Sequence, residues 1–216
     1  MMNISLVVFD LDGTLISSHE TIYKTTVHAL HKVGIDAEMP EEKFYEKIGW
    51  HFEDIFREFG FTVPDFEKFI NIYKSHYFDY LDSSYVYPGV RDILSILKKK
   101  KIFTSLLTTK GQDQAELLLS HFELIDYFDY VMGRRPGIAH KPSPEPLLKI
   151  CEDLKVKPQN TLIVGDTEMD IVCGKEGGAN NCAVTYGYRS KEFLLNQQPD
   201  FLIDKIEDIE YIVGGM

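Results

Sequence analysis

Cysteine is scarce in this chain. Only three of its 216 residues are cysteine, Cys151, Cys173 and Cys182, an odd number with no CxxC pair. That argues against a disulfide framework and a cysteine-built zinc site, and it fits a reducing, cytoplasmic setting. Long apolar runs are also lacking. No stretch approaches the ~18 apolar residues of a membrane span, and the opening MMNISLVVFDLDGTL has no basic n-region of a signal peptide. Positive charge is in deficit: Lys and Arg number 23 against 34 Asp and Glu, for a net charge of −11. So acidic a chain repels nucleic acid and anionic membrane, and neither is expected as a partner. A small anionic substrate stays open, because a metal or a local cation reverses the potential at one site.

What is present is the composition of a globular protein, with 44% hydrophobic and 12% aromatic residues. Ile4–Phe9 is a short β-branched run that meets Asp-Leu-Asp-Gly-Thr directly. Ile102–Leu107, Thr161–Val164 and Cys182–Thr185 repeat the pattern of an apolar run ending in a polar loop, with weaker runs at Tyr130–Met132 and Phe201–Ile203. Helical spacing falls between them, over Val90–Lys100, Gln114–Phe122, Pro146–Leu154 and Met169–Glu176. Strands alternating with helices predict an α/β fold with a doubly wound parallel sheet, whose ligands bind at the carboxyl ends of the strands.

Residues 17–83 break the alternation. Apolar residues at helical spacing predict one helix ended by Gly34, a second over Glu41–Ile48, a third over Phe52–Phe59 and an aromatic stripe from Phe66 to Tyr80, with no strand. The stripe reads as core packing. The expectation is an α/β core of residues 1–16 and 84–216, carrying an all-helical insert of residues 17–83.

The strongest chemical signal is Asp10-Leu11-Asp12-Gly13-Thr14. In an extended loop alternate residues face one way, so two carboxylates can approach one site, one as nucleophile or metal ligand and the other as general acid/base. The second is Gly165-Asp166-Thr167-Glu168-Met169-Asp170. Asp166 ends a strand, and Asp170 can face the same site from the first helical turn, although Asp also favours helix starts for capping alone. Converging carboxylates repel one another without a cation. With oxygen ligands only, Mg²⁺ is the natural occupant. Thr108, just past a strand, offers a hydroxyl for a phosphate oxygen, or serves only as a turn residue. Lys141, in His-Lys-Pro-Ser-Pro, offers a cation, or is an ordinary surface lysine.

Taken in order, an Asp pair, a hydroxyl, a lysine and a second Asp group each follow a successive strand. In this the chain resembles the haloacid dehalogenase superfamily of hydrolases, with a helical cap inserted between the first two motifs. That cap position is shared with phosphoglycolate phosphatases, inorganic pyrophosphatases and β-phosphoglucomutases. Leu107-Thr108-Thr109-Lys110 is similar to the Thr-Asn-Lys of the phosphoglycolate phosphatase-like members, with Thr109 in place of Asn, and Val184-Thr-Tyr-Gly-Tyr188 is similar to that group too.

The resemblance implies a Mg²⁺-dependent phosphatase that works through an aspartyl-phosphate. Asp10 is then the nucleophile and Asp12 the general acid/base. Thr108, the backbone of Thr109 and Lys141 bind the phosphoryl group. Mg²⁺ is held by Asp10, the backbone carbonyl of Asp12, Asp166 and Asp170. An acid at Asp12 favours phosphoester or phosphoanhydride cleavage over dehalogenation. No Arg follows Gly49, where the sugar mutases carry one, so a mutase ranks behind a phosphatase and a receiver-type phosphoacceptor further behind. The substrate is a small phosphorylated metabolite, read by a cap for which His19, Lys47, Trp50 and His51 are the candidates. Monomer and homodimer are both compatible with the sequence.

Overall fold

The computed structural model describes residues 3–214. Strand β1 (Leu6–Phe9) is followed by a loop and by the two-residue strand β2 (Ile16–Ser17). Four helices come next: α1 (His19–Lys32), α2 (Glu41–Tyr45), α3 (Phe52–Glu58) and α4 (Phe66–His76). A 3-10 segment, Tyr77–Ser83, and β3 (Tyr85–Val86) bring the chain back. Alternation then sets in, with α5 (Val90–Lys99), β4 (Phe103–Gly111), α6 (Gln112–His121), β5 (Tyr130–Arg134), α7 (Glu145–Asp153) and β6 (Thr161–Gly165). It continues through α8 (Glu168–Gly177), β7 (Asn180–Val184), α9 (Lys191–Asn196), β8 (Phe201–Ile203) and α10 (Ile209–Gly214). Residues up to Ile16 and from Val86 onward form one compact unit, and Ser17–Tyr85 form another.

The first unit holds a six-stranded sheet in the order β5-β4-β1-β6-β7-β8, parallel at every pairing. Its strands are apolar because a parallel sheet is covered on both faces; all four residues of β1 are buried. Helix α5 shows how the cover is built. Val90, Ile93, Leu94 and Leu97 recur at helical spacing and are all fully buried. Each contributes roughly 1.5–3 kcal/mol by leaving water, and Leu94→Ala would cost about 2–5 kcal/mol through the cavity it leaves. Gly89, in a left-handed conformation, starts this helix, and Lys98 and Lys99 suit its carboxyl end. The three cysteines are buried and unbridged. Among the described residues no helix is long and apolar enough to cross a membrane.

The second unit packs its helices on an aromatic core. Phe52 lies 5.3 Å from Phe69 and 4.9 Å from Tyr73, centroid to centroid, and Phe56 lies 5.2 Å from Phe69. Phe69, Tyr73 and Tyr77 are buried, so the stripe is core packing. The stripe is one helix only as far as His76, after which a 3-10 turn carries Tyr77 and Tyr80. The second helix is shorter than its apolar pattern predicts and ends at Tyr45. Ser17 belongs to a strand, against the expectation of none in this stretch.

Candidate active site

The register of the sheet sets out the site. Phe9 is level with Leu106 on one side and Val164 on the other. Asp10 therefore leaves the central strand beside Leu107 and Gly165, with Thr108 and Asp166 one residue further along. Later strands build outward from β1 in opposite directions, β4 and β5 on one side and β6 to β8 on the other. The crevice at such a switch of strand order is where doubly wound sheets bind ligands. The Asp10 amide donates to the Val164 carbonyl at 2.9 Å, which holds the start of the loop against β6.

Four charged side chains converge there. Lys141 is only 3% exposed, and its ammonium donates to Asp10 Oδ1 at 2.7 Å and to Asp170 Oδ1 at 2.5 Å. It is thus no ordinary surface lysine. Carboxylate oxygens of Asp10, Asp166 and Asp170 all lie within 4.8 Å of one another, and all three residues are buried. Burial pushes the Asp10 carboxyl up, Lys141 only partly reverses this, and the group settles at about 7. Asp166 is raised well above the usual carboxylate range by burial and then by Asp10 and Asp170. Burial alone would lower Lys141, but its two anionic neighbours outweigh that and hold it above the ordinary lysine value. One ammonium serves two acids, Asp10 and Asp170, and stays charged between them.

Glycine makes room for the acids. A Cβ on Gly13 would lie 2.3 Å from Asp166 Oδ2, and one on Gly165 would lie 2.0 Å from Asp170 Cγ. No side chain fits at either place. Asp166 accepts from the Thr14 hydroxyl at 3.2 Å and the Tyr188 amide at 2.8 Å. Asp170 also closes a capping box with Thr167 at the start of α8, so the capping role and the convergence on the site are both real.

Asp12 is placed differently. Its carboxylate lies outside the buried triad and pairs with Lys110, Nζ to Oδ2 at 3.2 Å. Thr108 is buried and its Oγ1 accepts from the Lys110 amide at 3.2 Å, while Thr109 is half-buried. Within the second unit, His19 opens α1 with its ring centroid 4.6 Å from that of Tyr45 in an edge-to-face arrangement, Lys47 Nζ lies 4.7 Å over the ring of Trp50, and His51 stands at the N-cap position of α3. Lys47 and Trp50 are thereby brought together, and His19 packs on Tyr45 instead.

Sequence reasoning named Lys110 only within the Thr108-Thr109-Lys110 stretch and gave it no role, although it stands two residues after Thr108, the spacing that puts strand residues on one face. It also passed over the bidentate pair of Arg189 with Glu168, at 2.8 and 3.2 Å, and the Tyr186 hydroxyl that donates to the Thr14 carbonyl at 2.9 Å. Tyr186 lies within the Val184–Tyr188 stretch singled out above and Arg189 directly follows it, but that stretch was quoted only as a likeness.

The family model for haloacid dehalogenase-like hydrolases matches residues 7–184, most of the chain. The chain belongs to this family. Among named relatives of this hydrolase, pyrophosphatase PpaX of Bacillus anthracis is 32% identical over 216 residues, covering all of this chain and 99% of that protein. A Clostridium perfringens protein provisionally called pyrophosphatase PpaX is 36% identical over 203 residues, 94% of each chain. Among solved structures, a haloacid dehalogenase-like family hydrolase from Streptococcus pneumoniae superposes with a TM-score of 0.86 at 25% identity, covering 98% of this chain and 100% of that one. A predicted phosphoglycolate phosphatase from Haemophilus somnus does so with 0.84 at 25% identity, covering 98% and 99%.

Proposed function

We propose that this hydrolase is a Mg²⁺-dependent phosphatase that passes the phosphoryl group through Asp10, and that inorganic pyrophosphate is its foremost substrate. One observation carries the chemistry: a buried carboxylate at the switch point, Asp10, held by Lys141 beside two further buried acids. Three carboxylates against one ammonium leave two negative charges if all are ionised. Burial, and then mutual repulsion, push two of the acids up. Their donors are all oxygen, with no imidazole or thiolate among them, which fits Mg²⁺ and not zinc. Asp10, Asp166, Asp170 and the backbone carbonyl of Asp12 would hold the ion. When bound, it supplies positive charge to the phosphoryl oxygens.

The residues of the chain do the rest. Asp10 attacks phosphorus in line, forming a carboxylate oxygen–phosphorus bond as the bond to the leaving oxygen breaks. Asp12 gives a proton to that oxygen and later takes one from the water that hydrolyses the aspartyl-phosphate. Lys141 and the Thr108 hydroxyl hold the phosphoryl oxygens as charge spreads over them. Residues 17–85 read the leaving group, with Lys47, Trp50, His51 and His19 as the candidate contacts.

For the substrate, the name shared by relatives at 32% and 36% identity over almost the whole chain favours pyrophosphate. Phosphoglycolate is the second reading, favoured by the name of a structural neighbour at 25% identity. A steady-state panel with Mg²⁺ decides between them, using pyrophosphate, phosphoglycolate, hexose phosphates and p-nitrophenyl phosphate. The highest kcat/KM on pyrophosphate is expected. Preference for phosphoglycolate reverses the order of the two, and interconversion of hexose phosphates without net phosphate release overturns both.

A further inference from the structure

A second lysine, half-buried as a residue, has its side chain largely withdrawn from solvent next to the proposed acid/base. The Lys110 side chain is 6% exposed and that of Asp12 is 13% exposed, with Nζ 3.2 Å from Oδ2. Lysines normally keep their ammonium in water, and a buried one needs an anionic partner. The backbone puts it there. β4 pairs with β5 in register as far as Leu107 and Met132, and the next pair is Gly111 with Arg134, so four steps on β4 answer two on β5. Thr108, Thr109 and Lys110 take up the excess as a bulge, a device that re-aims side chains next to active sites. The Lys110 amide donates to Thr108 Oγ1 at 3.2 Å, so one distortion places both side chains. Asp12 is fixed from its own side, in a bridge to Ile16 with the Gly13 amide donating to the Ile16 carbonyl at 2.8 Å.

Stability is a weak reason for such a pair. Desolvating two charges costs several kcal/mol, and well-packed apolar residues in their place often do as well or better. What the pair does accomplish is to fix one oxygen of a carboxyl that has to exchange a proton.

We infer that Lys110 is a positioning residue for proton transfer, engaging Asp12 at Oδ2 so that the proton is exchanged at Oδ1. This rests on the reading of Asp12 as acid/base given above. As the Asp10–phosphorus bond forms and the phosphorus–leaving-group bond breaks, the proton on Oδ1 passes to the leaving oxygen. In the second half, Oδ1 takes a proton from the attacking water, the water oxygen bonds to phosphorus, and Asp10 regains its carboxylate. Lys110 keeps its own protons throughout.

Positioning of an acid leaves a signature that a merely structural lysine does not. Poor leaving groups need the proton, and good ones depart without it. The experiment compares the wild type with Lys110→Met, Lys110→Arg and Asp12→Asn. Its readout is kcat/KM with Mg²⁺ over phosphate esters from alkyl phosphates to p-nitrophenyl phosphate. Lys110→Met is expected to lose about 10- to 100-fold on the alkyl esters, the scale of a slightly misplaced general acid. On p-nitrophenyl phosphate its loss stays below about threefold, and Lys110→Arg recovers most of the deficit. A crystal structure of Lys110→Met should show Asp12 rotated or in more than one rotamer. A uniform loss over the series, or none, overturns the inference while a steep series for Asp12→Asn leaves the acid/base reading standing. A flat series for Asp12→Asn overturns both. Should Lys110→Met not fold, the Lys110→Arg series decides, since a uniform loss there gives the same refutation.

Discussion

Replacing Lys141 with methionine keeps the length of the side chain and removes its charge. Two hydrogen-bonded contacts disappear, at 2.7 Å to Asp10 and 2.5 Å to Asp170, and three buried carboxylates remain without an ammonium. Removing one partner of a buried ion pair costs about 3–5 kcal/mol. For a chain of this size each kcal/mol moves the melting point roughly 2–4 °C, so a fall of about 6–20 °C is expected. The loss depends on pH. The Asp10 carboxyl already stands at about 7, against 3.8 for an ordinary aspartate, and without Lys141 it rises further. The folded state then keeps a proton that the unfolded state has released, so stability falls as pH climbs from about 4 through the folded value. Melting curves in EDTA should therefore show a larger deficit at pH 8 than at pH 5. In Mg²⁺, kcat/KM should fall ~10²-fold or more, and Thr108→Ala should fall less, because a neutral hydroxyl makes the weaker contact. A Lys141→Met protein that melts within about 2 °C of wild type at pH 8 and keeps its kcat/KM within about threefold would refute the reasoning.

Three further outcomes follow from the same geometry. Thorough chelation should abolish hydrolysis, and the melting point of the chelated wild type should drop between pH 5 and pH 7.5 as Asp10 and Asp166 are forced to ionise; Mg²⁺ should restore both, with its largest thermal shift at the higher pH. Gly165→Ala drives a methyl to within 2.0 Å of Asp170 Cγ; a Mg²⁺ affinity at least ~10-fold weaker by calorimetry is expected, and unchanged affinity would mean that Asp170 does not need its present position. Lys47→Ala and His51→Ala should change the ranking of natural substrates and spare p-nitrophenyl phosphate, whereas equal losses on all substrates would assign both side chains to the packing of the helical unit.

The sheet was legible because its strands are buried on both faces and announce themselves as apolar runs. Thr161–Val164 and Phe201–Ile203 fall where the runs stand, and Val90–Lys99 follows its apolar spacing. Helices α9 and α10 were not, since six residues each with a single turn of burial leave too short a period to see. β4 was read to end at Leu107 because apolar character stops there, but its backbone pairs on to Gly111 through a bulge that no side-chain pattern records. The same gap hid the pairing of Lys110 with Asp12. Asp10 and Asp166 could be seen as strand-end acids and Asp170 as a first-turn helix acid, while the burial of Lys141 depends on a tertiary meeting 131 residues apart in the chain. Gly13 was visible only as part of the Asp10–Thr14 motif. Its service of leaving space for Asp166 arises only when β1 and β6 lie side by side.

The central claim is that the phosphoryl group rests on Asp10 between the two half-reactions. Rapid quenching of the Mg²⁺-loaded enzyme during turnover of pyrophosphate, followed by borohydride reduction and peptide mass spectrometry, tests it directly. Reduction of an acyl phosphate turns the aspartate that carried it into homoserine, so conversion confined to Asp10, and absent when substrate is omitted, is expected. Full turnover with Asp10 unconverted, or with the phosphoryl group trapped on another residue, would contradict it.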